Sequence, residues 1–191
     1  MMHEQTIQHL NGNRESYMND LKELLRIPSI STDPEHAPDI QAAAEWLESY
    51  LANMGAENVQ ILSTPGKPVV VGDILAAPEY AQRAMTVLLY GHYDVQPADP
   101  LGLWESDPFE PTIRDGKLYA RGVIDDKAGV FLHLKAFESV IAANGALPIN
   151  VKFIFEGEEE SGSPTMEPVV EEHADLLAAD VVVISDGGSS E

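Results

Sequence analysis

No cysteine occurs anywhere in the 191 residues. That absence excludes disulfides, thiolate zinc sites and a Cys nucleophile together. Basic residues are scarce: 11 Lys and Arg stand against 32 Asp and Glu, a formal net charge of -21. Such a surface repels polyanions, so neither nucleic acid nor an anionic membrane is an expected partner. The surplus of carboxylates suits bound cations, or a salt-rich habitat. No apolar run approaches the length needed to cross a bilayer, and Met1-Met2-His3-Glu4-Gln5 lacks the basic-then-apolar pattern of a secretory signal. A cytoplasmic location is the expectation. A G-x-S-x-G nucleophile elbow, a P-loop and G-x-G-x-x-G are also missing, as are repeats, low-complexity tracts and any linker that would split the chain.

What is present is enough for a core. Hydrophobic residues make up 44% of the chain, and its length fits one domain, or one and a fraction. Residues 1–13 are polar and expected to be loose, with the folded unit running from 14 to 191. Tyr17, Met18, Leu21, Leu24 and Leu25 recur at helical spacing between Arg14 and Arg26, before Pro28. A second amphipathic helix carries Ile40, Ala43, Leu47, Tyr50, Leu51 and Met54 and closes at Gly55. A third runs from Lys127 to Asn144 with Gly145 after it, and a fourth from Met166 to Leu177. Strands are expected at Val59 to Leu62, Val69 to Leu75, Met85 to Leu89, Ile149 to Phe155 and Val181 to Ile184. Helices alternating with strands predict an α/β fold with a largely parallel sheet flanked by helices.

In such sheets ligands bind beyond the carboxyl ends of the strands. His92 and Asp94 follow one expected strand, Glu156-Gly157-Glu158-Glu159-Glu160 follow the next, and Ser185-Asp186-Gly187-Gly188 follow the last. A fourth cluster, Asp125-Asp126, opens the third helix. Each has a plainer reading: a hydrogen-bonded strand-end His, a solvated acidic loop, an Asx turn, an Asp N-cap. Their coincidence at successive strand ends favours a shared site. In an extended backbone Asp94 lies on the same side as His92, close enough to fix which ring nitrogen is free for a metal. One imidazole with several carboxylates suits divalent ions, and a spare Glu suits a general base. A carboxylate pair for glycoside cleavage leaves His92 unexplained.

At these residues the sequence resembles the di-zinc exopeptidases and amidohydrolases that include carnosine-type dipeptidases, carboxypeptidase G, acetylornithine deacetylase and succinyl-diaminopimelate desuccinylase. The resemblance is carried by Gly91-His92-Tyr93-Asp94-Val95-Gln96-Pro97, Trp104, Asp107-Pro108-Phe109, and Asp115-Gly116-Lys117-Leu118-Tyr119-Ala120-Arg121-Gly122. It continues through Asp125-Asp126-Lys127, Glu156 to Ser163, and Ser185-Asp186. The wording leans towards the dipeptidase branch. The family pattern implies that His92 and Asp186 hold one zinc, Asp125 bridges two, and Glu160 holds the second. It further implies Glu159 as general base, Asp94 as the residue orienting His92, and a cis peptide between Asp125 and Asp126.

The resemblance also implies two divalent ions, Zn2+ with Mn2+ or Co2+ as alternatives, and small peptides or N-acyl amino acids as substrates. Family members are longer. They insert a lid domain, often the homodimer contact, after the strand bearing the Asp186 equivalent, and later supply a final His ligand. The expectation is therefore the first portion of a zinc-exopeptidase-like catalytic domain, truncated before the lid, with its second metal site short of a ligand. The alternatives are an inactive fragment that binds at most one metal, or an N-acyl amino acid deacylase. An unpaired sheet edge or exposed apolar surface is expected to accompany such a portion.

Overall fold

The computed structural model describes residues 2–187. Met1 and Gly188, included in the sequence readings above, lie outside the described residues. Five strands form the main sheet: β1 (Glu57–Leu62), β2 (Val69–Ile74), β3 (Thr86–His92), β6 (Asn150–Glu156) and β7 (Val181–Ile184), in the order β1-β2-β6-β3-β7. A small hairpin, β4 (Thr112–Arg114) and β5 (Lys117–Tyr119), stands apart. β6, β3 and β7 are parallel neighbours, whereas β2 is antiparallel to both β1 and β6. The sheet is thus mixed, with β2 alone reversed. The link from β1 to β2 is too short for a parallel crossover, which needs a dozen residues or more, so it closes as a hairpin.

Alternation along the strands assigns each face. Val70, Leu89, Val151, Phe153 and Phe155 pack under α3 (Ala37–Asn53) and α4 (Lys127–Asn144), against Ile40, Leu47, Leu51, Val130 and Leu134. Val69, Val71 and Ile154 turn to the opposite face and meet Val169 and Leu177 of α5 (Met166–Glu172) and α6 (Ala174–Leu177). The single helix expected over 166–177 is therefore two, parted at His173. Outside the first layer, α2 (Arg14–Arg26) buries Tyr17, Leu21 and Leu25 against Phe131 of α4.

The first dozen residues, expected to be loose, form α1 (Met2–Gly12), which packs on α4. Leu10 joins the Tyr17, Leu21 and Phe131 cluster, and that tertiary contact supplies what the weak local pattern does not. At the other side of the sheet β7 is an edge strand, and Val181, Val182 and Ile184 are exposed. Among the described residues no helix is long and apolar enough to cross a membrane.

Candidate metal centre

The parallel register brings the sequence clusters to one edge of the sheet. His92 ends β3 opposite Glu156, the last residue of β6, and Tyr90 pairs with Ile184, two residues before Asp186. The turn into α4 adds Asp125 through a cis Asp125–Asp126 peptide, as the resemblance implies.

The His92 ring is fully buried. Its Nδ1 lies 3.1 Å from the Asp94 carbonyl oxygen and 3.2 Å from Asp94 Oδ1. Both neighbours are acceptors, so Nδ1 carries a hydrogen and Nε2 is the nitrogen left for a ligand. Three carboxylates face Nε2: Asp125 Oδ1 at 2.9 Å, Asp186 Oδ2 at 3.8 Å and Glu159 Oε2 at 3.9 Å. One ligand atom each from His92, Glu159 and Asp186 lies within 4.8 Å of the others. Asp125 is 57% exposed and approaches Nε2 from the solvent side. One imidazole among convergent carboxylates is a donor set that fits a divalent ion such as zinc.

Burial pushes the His92 pKa down, but the Asp94 hydrogen bond and the charges of Asp94, Asp126 and Glu159 outweigh it and hold it at about 10. Burial raises the Glu159 pKa. The His92 charge opposes that shift, and Asp186, Glu160 and Asp94 add to it. A carboxyl raised above its ordinary range is better suited to move a proton near neutral pH.

Asp94 does more than face His92. Its Oδ1 accepts the Glu159 N–H at 3.2 Å and its Oδ2 accepts the Glu160 N–H at 3.1 Å. The side chains of the two glutamates then diverge. Glu159 turns to Nε2, while the Glu160 carboxylate accepts a 2.9 Å bond from the Gln96 amide, which also donates to the Glu160 carbonyl. The acidic run is thus divided: Glu156 and Glu158 are buried, Glu159 faces His92, and Glu160, expected as a ligand, is held by Gln96 and is not among the side chains that face Nε2.

Several supporting residues escape a sequence reading. Asp126 stands at the N-cap position of α4 but makes no side-chain cap bond. Its Oδ2 instead accepts the His92 N–H at 3.3 Å. Burial pushes its pKa up to about 7, against the pull of His92. Gly91 and Gly129 give it room, since a Cβ at Gly129 would stand 1.9 Å from Asp126 Oδ1. Lys127 is fully buried and donates to the carbonyls of Leu24 (3.1 Å) and Ile27 (2.6 Å), at the end of α2. Its burial pushes the ammonium pKa down to about 7. A cation in the first turn of a helix opposes the helix dipole, and that misplacement is the one local signal for its role. Gln96 lies in the motif that carries the resemblance, but nothing local marks its contact with Glu160.

A family model for peptidase family M20/M25/M40 matches residues 88–191. The chain belongs to that family. It is 34% identical over 182 residues to a cysteinylglycine-S-conjugate dipeptidase of Corynebacterium striatum, covering 95% of this chain and 39% of that protein. A human Beta-Ala-His dipeptidase is 35% identical, with 96% of this chain and 38% of the relative covered. The crystal structure of human carnosine dipeptidase 1 superposes with a TM-score of 0.87 at 33% identity, over 98% of this chain and 41% of that one. The chain therefore spans about two fifths of the length of these relatives.

Proposed function

We propose that this chain carries the metal-binding and base-bearing part of a dipeptidase-type metallohydrolase that cleaves the amide bond of small peptides. The observation that carries the reading is the convergence of Asp125, Glu159 and Asp186 on Nε2 of a buried histidine whose Nδ1 is held by Asp94. The dipeptidase names of the relatives support peptides such as cysteinylglycine conjugates or Beta-Ala-His as the substrate class.

In this reading His92, Asp125 and Asp186 hold a divalent ion, and Asp125 and Glu160 take part in a second. Such an ion, when bound, supplies Lewis-acid polarisation of the scissile carbonyl and a lowered pKa for attacking water. The chain's own residues do the rest. Asp94 holds the His92 ring with Nε2 forward and fixes the backbone of Glu159 and Glu160. Glu159 accepts a proton from the attacking water as the oxygen bonds to the amide carbon. It then delivers that proton to the amine nitrogen as the C–N bond breaks.

A second reading, a chain that binds one ion and is inactive alone, draws support from the donor set. His92 is the only imidazole in the metal-capable group among the described residues. Dipeptide hydrolysis by the zinc-loaded chain separates the two. Hydrolysis abolished by Glu159→Gln and by chelation supports the first reading. Activity that survives Glu159→Gln overturns the base assignment, and zinc binding without turnover supports the second.

A further inference from the structure

We propose that Glu158 is a positioning residue that latches the loop bearing Glu159 and Glu160 onto the turn between β1 and β2. The proposal rests on the reading of Glu159 as the base. Glu158 is only 4% exposed, yet it carries a carboxylate that no lysine or arginine approaches among the described residues. Backbone and hydroxyl donors satisfy it instead. Oε2 accepts the Lys67 N–H at 3.0 Å; Oε1 accepts the Thr165 N–H at 2.8 Å and a bond from the Thr165 hydroxyl. Its backbone carbonyl accepts from the N–H groups of Ser161 and Ser163 and from the Ser161 hydroxyl.

The receiving turn is built for that carboxylate. The Thr64 hydroxyl accepts the Gly66 N–H at 3.0 Å and donates to the Lys67 carbonyl at 2.7 Å, which bends the chain so that the Lys67 N–H faces Glu158. Gly66 has no positive φ to demand a glycine. What demands one is space, because a Cβ there would stand 2.1 Å from Glu158 Oε2. The Tyr93 hydroxyl ties the same turn to the end of β3 through the Pro68 carbonyl at 2.6 Å. The Glu159–Glu160 segment is thus held from both sides, by the Asp94 carboxylate on its own N–H groups and by the latch at the residue before it. With the latch open, the loop keeps its internal turn bonds, but only the Asp94 and Gln96 contacts still tie Glu159 and Glu160 to the rest of the fold, and the aim of Glu159 at Nε2 is loosened.

The test measures amide exchange in the metal-free chain and Co2+ binding by its visible spectrum, for Glu158→Met, Glu158→Gln and Gly66→Ala. A core variant, Leu47→Ala, is the control. Opening the latch should speed exchange at Lys67 and Thr165 and, in step, at Glu159 and Glu160, by about tenfold. Co2+ binding should weaken by about tenfold as well. Leu47→Ala should lower the melting temperature and speed only the amides that exchange through global unfolding. The proposal is overturned if Lys67 and Thr165 are freed while Glu159 and Glu160 keep their protection. It is equally overturned if the Glu158 variants merely reproduce the Leu47→Ala pattern. Because exchange is read without metal, a wild-type chain that binds no Co2+ counts against the proposed function and leaves the latch decided on its own data.

Discussion

Replacing Asp94 with alanine perturbs the site at its most connected point. The side chain is fully buried and serves two backbone N–H groups and the His92 ring, at 3.2, 3.1 and 3.2 Å. Hydrogen bonds to a charged group contribute about 1.5–3 kcal/mol each, a gross contribution of roughly 5–9 kcal/mol for the set. Desolvating the carboxylate offsets part of this, and breaking a buried charged pair costs about 3–5 kcal/mol net. We therefore expect Asp94→Ala to destabilise the chain by about 3–5 kcal/mol. For a chain of this length that is a fall of about 6–20 °C in melting temperature. Asp94→Asn keeps the shape and one acceptor oxygen and should lose about 2 kcal/mol. Urea unfolding in the presence of a chelator gives both numbers without any contribution from metal. A double-mutant cycle with His92→Ala should return a coupling of about 1–3 kcal/mol. An Asp94→Ala variant within about 0.5 kcal/mol of wild type, or a coupling near zero, would show that Asp94 is not the hub described.

Other perturbations test separate parts of the account. Lys127→Met strips the buried carbonyls of Leu24 and Ile27 of their donor, and despite relief of the buried amine it should destabilise by about 2 kcal/mol in urea titration; a more stable variant would refute that role. Phe153→Ala removes a fully buried ring between Phe137 and Phe155 and should cost about 3–5 kcal/mol by the same assay, whereas a cost below about 1 kcal/mol would mean the core is loosely packed. Val182→Lys places a charge on the exposed β7 edge, so light scattering on heating should fall relative to wild type; unchanged scattering would exonerate that edge. Gln96→Ala frees the Glu160 carboxylate while leaving Glu159 on Asp94, and the zinc-loaded variant should lose affinity for any second equivalent before the first; equal loss of both would contradict the division of labour between the two glutamates.

Much of the fold was legible because its signals are local. The ends of α2, α4 and β7 match the expected ones, since Pro28 and Gly145 punctuate the helices and the β-branched run of β7 stands between polar residues. α1 was not legible: its helical state draws on Leu10 meeting Phe131, far along the chain. Strand direction is likewise invisible in a strand's own residues, although the short link between β1 and β2 did encode the reversal of β2. For the site, the strand-end rule pointed to the His92, Glu156–Glu160 and Asp186 clusters because β3, β6 and β7 end side by side, whereas Asp125, at the turn into α4, came from the resemblance. The supporting contacts were out of reach for the opposite reason. Gln96 meets Glu160 across 64 residues, Lys67 meets Glu158 across 91, and Lys127 meets Leu24 across 103. No periodicity or turn signal encodes such pairs.

The most direct test of the central claim is a calorimetric zinc titration of the chain, repeated on His92→Ala and Asp186→Asn. The convergence of three carboxylates on His92 Nε2 predicts at least one equivalent of tight binding, lost in His92→Ala and sharply weakened in Asp186→Asn. A chain that binds no zinc, or one that binds it equally well after both substitutions, would contradict the account.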